Sequence, residues 1–178
     1  MMGDALSVFI RPGTLQDLEF LVGSNAALAW ETERRQLDLS SLRSGVLALL
    51  QDPHKGWYIV AEATSQAGSS IVVGQLLVTF EWSDWRNKNF WWLQSVYVHP
   101  DYRRKGVFTQ LYAYVMKEAK NRNEEVCGLR LYVEQDNTIA HQSYDHLGFQ
   151  KAPYHIYACE WTDSAPHTNR MSRLEEPS

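Results

Sequence analysis

The hydrophobic period changes along this chain of 178 residues, and the change limits what it can fold into. Between residues 15 and 50, apolar residues recur every three to four positions, which is typical of helices that bury one face. From Trp57 to Val98 the apolar residues instead form short runs rich in β-branched and aromatic side chains, which predict strands. This order indicates a single α/β (α+β) domain around one sheet.

The two helical segments have recognisable starts. A strand over residues 7–11 ends at Pro12-Gly13, and Thr14 with Asp17 resembles a capping box that opens the first helix. Its apolar face is predicted to contain Leu15, Leu18, Leu21 and Val22. Ser40 or Ser41 is expected to cap a second helix, which ends before Pro53.

The rest of the chain continues the alternation of strands and helices. The predicted segments are strands over 57–63, 70–80 and 90–98, a loop over 81–89, a helix over 107–119, a strand over 128–134, a helix capped by Asp136 or Asn137 and stopped by Gly148, and a last strand over 154–161. We therefore expect one domain over residues 1–162 and a polar tail over 163–178.

Composition excludes several classes of protein. With 44% hydrophobic and 21% charged residues, the chain is typical of globular proteins rather than disordered ones. Two cysteines, Cys127 and Cys159, are too few for a disulfide framework or a zinc site, and we expect buried free thiols and no metal. The chain has no basic leader and no run of 18 apolar residues, so we expect a cytoplasmic protein without a membrane partner.

Charge is distributed unevenly. The net charge of −4 argues against a nucleic-acid partner. Residues 101–122 contain six basic and two acidic residues, a net +4, so the remainder of the chain sums to −8. A basic segment on an acidic protein suits a small polyanionic ligand, although a solvated helix face would have the same composition.

The basic segment contains the most informative sequence, QSVYVHPDYRRKGVFT from Gln94 to Thr109. A strand ends near Val98, a basic turn follows, and a helix begins near Val107. A helix N-terminus presents unpaired N–H groups and a partial positive charge, and Gly106 would let a ligand approach the backbone. This arrangement can hold phosphate, although the sequence is neither a P-loop nor a dinucleotide-binding G-x-G-x-x-G.

The strand, the sequence V-x-V-x-P-x-Y-R-x-x-G and the helix together resemble the central motif of the GNAT N-acetyltransferase superfamily. The family's [Q/R]-x-x-G-x-[G/A] corresponds to residues 103–108, with Phe108 at the position that is usually Gly or Ala. A second segment, from Asn137 through Tyr144 to Leu147-Gly148-Phe149, is similar to the family's N-x-x-A-x-x-x-Y-x-x-x-G-F. The resemblance extends over about residues 7–161.

The resemblance implies a GNAT fold, which is a mixed, mostly antiparallel sheet with a splayed central strand pair, flanked by helices. It implies acetyl-CoA as the donor, with Tyr144 as the acid that protonates the departing thiolate and Asn137 near the pantetheine arm. The backbone of Val96, Tyr97 and Val98 would pair with pantetheine. The phosphates would lie at Arg103, Arg104, Lys105, Gly106, Val107, Phe108 and Thr109.

The segment before the central strand resembles the diamine and polyamine acetyltransferases of the family. Those enzymes have a glutamate where this chain has Gln94, which cannot act as a base. The carboxylates that could reach an acceptor amine are Glu81, Asp84, Glu31 and Glu33, each of which could equally be a surface acid. We expect Trp82 and Trp85 to line the acceptor cleft or a dimer contact, because aromatic faces suit a cationic amine. Of Trp91 and Trp92, one should face the core and one should not.

The predicted function is therefore transfer of an acetyl group from acetyl-CoA to a primary amine, by direct attack in a ternary complex. The acidic remainder of the chain favours a small cationic amine. A protein lysine or N-terminus is an alternative acceptor, a CoA-binding regulatory module without catalysis is an alternative function, and a plain interaction protein is a third reading. A homodimer is common in this family.

Overall fold

A computed structural model describes residues 8–64 and 68–159 of the chain. The strands are β1 Phe9–Pro12, β2 Trp57–Thr64, β3 Ser70–Ser83, β4 Lys88–Val98 and β5 Val126–Leu131. The helices are α1 Leu18–Glu33, α2 Leu39–Gln51, α3 Val107–Asn121 and α4 Thr138–His146, with short 3-10 turns at Leu15–Asp17 and Pro100–Tyr102. The chain up to Glu134 forms one compact unit, and the chain from Gln135 onward, which contains α4, forms a second.

The first unit is built on one five-stranded sheet in the order β1-β2-β3-β4-β5. The first four strands are antiparallel to their neighbours, and β5 runs parallel to β4. A parallel pair needs a crossover connection, and α3 lies in that connection between β4 and β5. The mixed, mostly antiparallel sheet that the sequence predicts is confirmed.

Helices cover the two faces of this sheet. Leu18 and Leu21 of α1 and Val46 of α2 form a buried cluster with Tyr58, Val60 and Leu77 of the strands. On the other face, a Cβ added at Gly74 would lie 3.2 Å from Val107 Cγ1 and 3.5 Å from Leu111 Cδ1, so α3 packs closely over β3. Val107, Leu111, Val115 and Ala119 are the buried residues of α3, at the spacing that the sequence pattern predicts.

The helix starts are partly as predicted. Thr14 and Asp17 form the expected capping box, and Asp17 is buried. Leu15 is exposed, however, because the first turn is a short 3-10 helix and the apolar face begins at Leu18. The prediction that Ser40 or Ser41 caps α2 is wrong: Asp38 is the cap, and its Oδ1 accepts a hydrogen bond of 2.7 Å from the Ser41 amide.

Other boundaries also differ from the predictions. The predicted loop over 81–89 is instead the end of a strand hairpin, with a turn at residues 84–87. The strands extend into this polar segment because a sheet face that meets solvent does not require apolar side chains. Strand β5 begins and ends earlier than predicted. The described part of the predicted last strand, residues 154–159, is not a strand, since no described neighbour bonds to its backbone. Residues 160–178, including the predicted tail, lie outside the described residues. Both cysteines are free, but Cys159 is exposed.

Candidate functional site

Strand β4 has an open edge along its C-terminal half. Its pairing with β5 runs from Asn89 to Leu93, where β5 ends at Leu131. Within the described ranges no ladder pair joins β4 beyond Leu93 to β5. Residues 94–98 therefore lie beyond the described pairing with β5 and present backbone groups that can pair with an extended ligand, at the place where the family resemblance implies a splay.

A β-bulge interrupts β4 at the start of this edge. Gln75 pairs with Tyr97 and Leu77 pairs with Gln94, so two residues of β4, Ser95 and Val96, lie opposite one residue of β3. Ser95 has φ +48°, which a non-glycine residue adopts at a cost. Its carbonyl oxygen accepts a hydrogen bond of 3.1 Å from Gln75 Nε2, which fixes the backbone at the bulge.

The turn after β4 has the backbone geometry of an anion-binding loop. Arg104 has φ +60° and Gly106 has φ +77°. Gly106 is the N-cap of α3 and has no side chain that could cap the first turn of this helix. Backbone N–H groups in such a turn and the positive end of the helix both favour a phosphate.

The three basic residues of this turn have different surroundings. Arg103 forms an ion pair of 2.7 Å with Glu31 of α1, donates from Nε to the Val98 carbonyl oxygen at 2.8 Å, and lies over the Tyr97 ring. Arg104 and Lys105 are exposed, with the Lys105 ammonium 5.4 Å from the centre of the Tyr102 ring. Arg103 is therefore engaged within the protein, whereas Arg104 and Lys105 lie at the surface of the turn.

Burial raises the pKa of the Tyr97 phenol, and the Glu31 carboxylate raises it further, although Arg103 opposes both. This phenol therefore carries its proton at pH 7, and the Tyr97 side chain is buried.

Three of the predicted acceptor residues, Trp82, Asp84 and Trp85, lie apart from Gln94. Trp82 and Gln94 lie on opposite faces of the sheet. Gln94 lies on the same face as its β3 partner Leu77, and Trp82, an odd number of residues from Leu77 in β3, lies on the other face. Gln94 Nε2 donates to Thr79 Oγ1 at 2.6 Å. Asp84 and Trp85 lie in the exposed hairpin turn, where Trp85 is 89% exposed. Trp82 pairs with Asn89, and the five residues from there to Gln94 span about 17 Å along β4.

A cluster on the Gln94 face, which we call the Trp92 platform, was not identified from the sequence; it consists of Trp92, Tyr132, Glu81 and Arg130. Trp92 Nε1 donates to Glu81 Oε2 at 2.5 Å, and Arg130 pairs with the other oxygen of Glu81 at 2.5 Å. Tyr132 stacks on Trp92 with ring centres 4.3 Å apart. Trp91 is buried on the opposite face, so the predicted division of the two tryptophans is confirmed. Aromatic and polar residues at every second position, 90, 92 and 94 in one strand and 130 and 132 in the next, are the signal that could have identified this face.

The second unit contains the other two predicted site residues. Asn137 caps α4, and its Oδ1 accepts a hydrogen bond of 3.0 Å from the Ala140 amide. Tyr144 is half-buried, and its ring makes an edge contact with Phe149 at 5.9 Å between centres. Burial raises the pKa of the Tyr144 phenol, which therefore carries its proton at neutral pH.

Among the described residues, no helix is long and apolar enough to cross a membrane. No group of three or more His, Cys, Asp or Glu side chains among residues 8–64 and 68–159 could hold a metal ion.

The chain is similar to several known proteins. A possible acetyltransferase from Clostridium difficile 630 superposes with a TM-score of 0.77 and 41% identity, covering 87% of this chain and 98% of that one. Mycothiol acetyltransferase of Corynebacterium aurimucosum is 26% identical over 151 residues, which are 83% of this chain and 46% of that protein. Thialysine N-epsilon-acetyltransferase of Bos taurus is 34% identical over 96 residues, which are 52% of this chain and 54% of that protein. The chain thus spans about half the length of the curated relatives it matches.

Residues 23–149 match the profile of the acetyltransferase (GNAT) family, and this range includes both similar segments of the sequence and the part of β4 beyond its pairing with β5. The chain therefore belongs to the acetyltransferase (GNAT) family.

Proposed function

We propose that this protein transfers an acetyl group from acetyl-CoA to the primary amine of a small cationic acceptor, by direct attack in a ternary complex. The observation that carries the proposal is the open edge of β4, which leads into a turn with two positive φ angles at the start of α3. The backbone amides at this edge suit the amide-containing pantetheine arm of CoA. The N-terminus of α3 suits the phosphates of CoA.

Backbone groups hold the pantetheine arm of the donor, and backbone N–H groups with basic side chains hold its pyrophosphate. Val96, Tyr97 and Val98 pair with the pantetheine amides, as the family resemblance implies. The N–H groups between Arg104 and Thr109 take the pyrophosphate, and the exposed Arg104 and Lys105 side chains add charge. Arg103 also joins this turn to α1 through its ion pair with Glu31.

The transfer forms a C–N and an S–H bond and breaks a C–S and an N–H bond. The neutral amine nitrogen attacks the thioester carbonyl carbon, the C–N bond forms, and the C–S bond breaks with its electron pair on sulfur. Tyr144 donates its phenolic proton to that thiolate, and the excess proton on the new amide nitrogen passes to water. Burial raises the pKa of the Tyr144 phenol, so the group holds its proton at neutral pH until the thiolate forms beside it, and water returns the proton afterwards.

The acceptor class follows from charge and aromatic surface. Outside residues 101–122 the chain sums to −8, which favours a cationic acceptor. The half-buried Trp92 on the Gln94 face provides an aromatic wall for it. Two matched relatives are acetyltransferases whose names give mycothiol and the epsilon nitrogen of thialysine, which supports a small molecule over a protein lysine.

A thiol-release screen with acetyl-CoA tests this function. Di- and polyamines, amino acids, aminoglycosides and lysine peptides are supplied in parallel, each beside its fully N-methylated form, which has no N–H to replace. We expect release with a small cationic amine and none with its methylated control. Binding of acetyl-CoA by calorimetry without release from any amine would favour the regulatory module, and no binding would overturn both. A homodimer and a cytoplasmic location stay predictions, to be tested by light scattering and by imaging a tagged chain.

A further inference from the structure

A chain of buried polar side chains connects four elements below the bulge of β4. Gln75 of β3 is fully buried, and its Nε2 donates to Asn25 Oδ1 of α1 at 3.2 Å as well as to the Ser95 carbonyl oxygen at 3.1 Å. Asn25 Nδ2 in turn donates to the hydroxyl of Tyr58 in β2 at 3.1 Å, and both of these residues are buried. Every hydrogen of the Gln75 amide nitrogen is thus used, and one of them holds the bulge.

This network lies where apolar side chains would be expected. Its neighbours in the core of the first unit include Leu21, Val60 and Leu77. Burying amides in such surroundings is costly unless they are hydrogen bonded, and Gln75 Oε1 has no hydrogen-bond partner among the described residues although it is buried. A core that required stability alone would be better filled by apolar residues of the same shape.

The network holds the bulge at Ser95, which has the most unusual backbone conformation in β4. Ser95 is the residue of that strand with φ in the left-handed region, and the strand continues from it into the open edge at Val96 and Tyr97. Non-glycine residues keep such a conformation only where their surroundings impose it, and they are common at active sites. A hydrogen bond from a fixed amide to the Ser95 carbonyl imposes it here.

We propose that Gln75 and Asn25, supported by Tyr58, are positioning residues that hold the Ser95 bulge and so align the open edge of β4 for the acyl donor. The inference rests on the proposed acetyl transfer for its catalytic part, and the conformation of the bulge can be tested without it. The three side chains act as one unit, because removing any member leaves another buried polar group without its partner. They do not contact the reacting atoms, and they act through the backbone of Ser95 and Val96.

Gln75→Met tests the role, since methionine has the same length and no hydrogen-bonding amide. Val78→Ala is the matched control, because Val78 is fully buried in the same strand but faces the other side of the sheet. We expect Gln75→Met to lower kcat about 100-fold, the effect of a displacement of about 1 Å at a reacting centre, with a smaller change in the KM for acetyl-CoA. Val78→Ala should lower the melting temperature but keep kcat within threefold.

Two further measurements separate positioning from general stability. Hydrogen exchange of the Tyr97 amide, which lies opposite Gln75 in the β3–β4 ladder, should accelerate at least tenfold in Gln75→Met without any substrate, while that of the Val60 amide stays unchanged. Asn25→Leu should lower kcat similarly, and the double variant should be no slower than the slower single variant. The proposal is overturned if Gln75→Met keeps wild-type kcat and exchange, or if kcat falls with melting temperature equally in both strand variants. If the wild-type protein acetylates no amine, the proposed function fails, and the exchange experiment alone decides whether the network holds the bulge.

Discussion

Arg103 in the turn before α3 and Glu31 near the end of α1 form an ion pair of 2.7 Å. The sequence assigned these two residues to different ligands, the arginine to phosphate and the glutamate to an acceptor amine. In the structure each is the partner of the other, and Arg103 also donates to the Val98 carbonyl oxygen. A pair this exposed contributes at most about 1 kcal/mol to stability, so its effect is to hold the turn against α1.

The different surroundings of Arg103 and Arg104 in the basic turn give the first prediction. Arg104→Ala should weaken acetyl-CoA binding by about tenfold or more, because a charge-assisted hydrogen bond to phosphate contributes about 1.5–3 kcal/mol. Arg103→Ala should weaken it less, and the difference should shrink at high salt as exposed charges are screened. Calorimetry at two salt concentrations measures both. A larger loss for Arg103→Ala would restore Arg103 as a phosphate ligand.

Gly106 gives the second prediction, because its φ of +77° disfavours any side chain and its position faces the expected phosphates. Gly106→Asp should abolish measurable acetyl-CoA binding through backbone strain and repulsion of negative charge. Gly68→Asp is the matched control, since Gly68 has φ +81° in the β2–β3 connection and a Cβ there meets nothing within 4 Å. Equal losses in the two variants would mean that strain alone, and not the site, lowers the affinity.

Periodicity predicted the order of the first strands and of the helices along the chain, because it reports which faces are buried, whereas the mixed sheet was implied by the family resemblance. The sequence also predicted the capping box of Thr14 and Asp17 and the left-handed Gly148, which depend on local backbone chemistry. The bulge at Ser95 was not predictable, since it arises from a register shift between two strands. The Trp92 platform was missed for the same reason: stacking of Tyr132 on Trp92 depends on how β4 and β5 pair.

Tyr144 gives a prediction about pH. Tyr144→Phe should lower kcat at least 100-fold with little change in acetyl-CoA affinity, because loss of a general acid removes proton transfer and not binding. Since burial raises the pKa of Tyr144 above its usual value near 10, the wild-type rate should show no loss from its ionisation below about pH 10. Tyr154→Phe, at an exposed tyrosine of the same unit, is the control and should leave kcat unchanged. A wild-type rate for Tyr144→Phe would remove the residue from the mechanism.

The acceptor wall can be located by comparing two tryptophans. Trp92→Leu should raise the acceptor KM about tenfold while leaving the KM for acetyl-CoA unchanged, because Trp92 lies on the Gln94 face of the sheet. Trp85→Ala should change neither constant, since this ring is 89% exposed at the hairpin turn. Steady-state kinetics with varied acceptor measures both effects. The opposite result would support the sequence-based expectation that Trp85 lines the acceptor cleft.

The last prediction concerns stability and a carboxylate at the start of the chain's first helical turn. Arg11 holds Asp17 through two hydrogen bonds of 2.7 and 2.8 Å, and it also pairs with Glu62 at 2.5 Å. Burial alone would raise the pKa of Asp17, but the hydrogen bonds from Arg11 and Thr14 outweigh it and hold that pKa below its usual value.

Because the pKa of Asp17 is lower in the folded state than in the unfolded one, its contribution is complete above about pH 4 and is lost as the pH falls through the folded value. Arg11→Met should lower the free energy of unfolding at pH 7 by about 3 kcal/mol, since it leaves a buried carboxylate without its partner. The loss should shrink as the pH falls below about 4, because Asp17 takes up a proton first in the unfolded chain and, at lower pH, in the folded protein. Arg43→Met is the control, because the Arg43–Glu19 pair is exposed and should contribute less than about 1 kcal/mol. Urea titrations of the three proteins at pH 7 and pH 3 measure these differences, and a loss for Arg11→Met that is the same at both pH values would mean that the ion pair is not its cause.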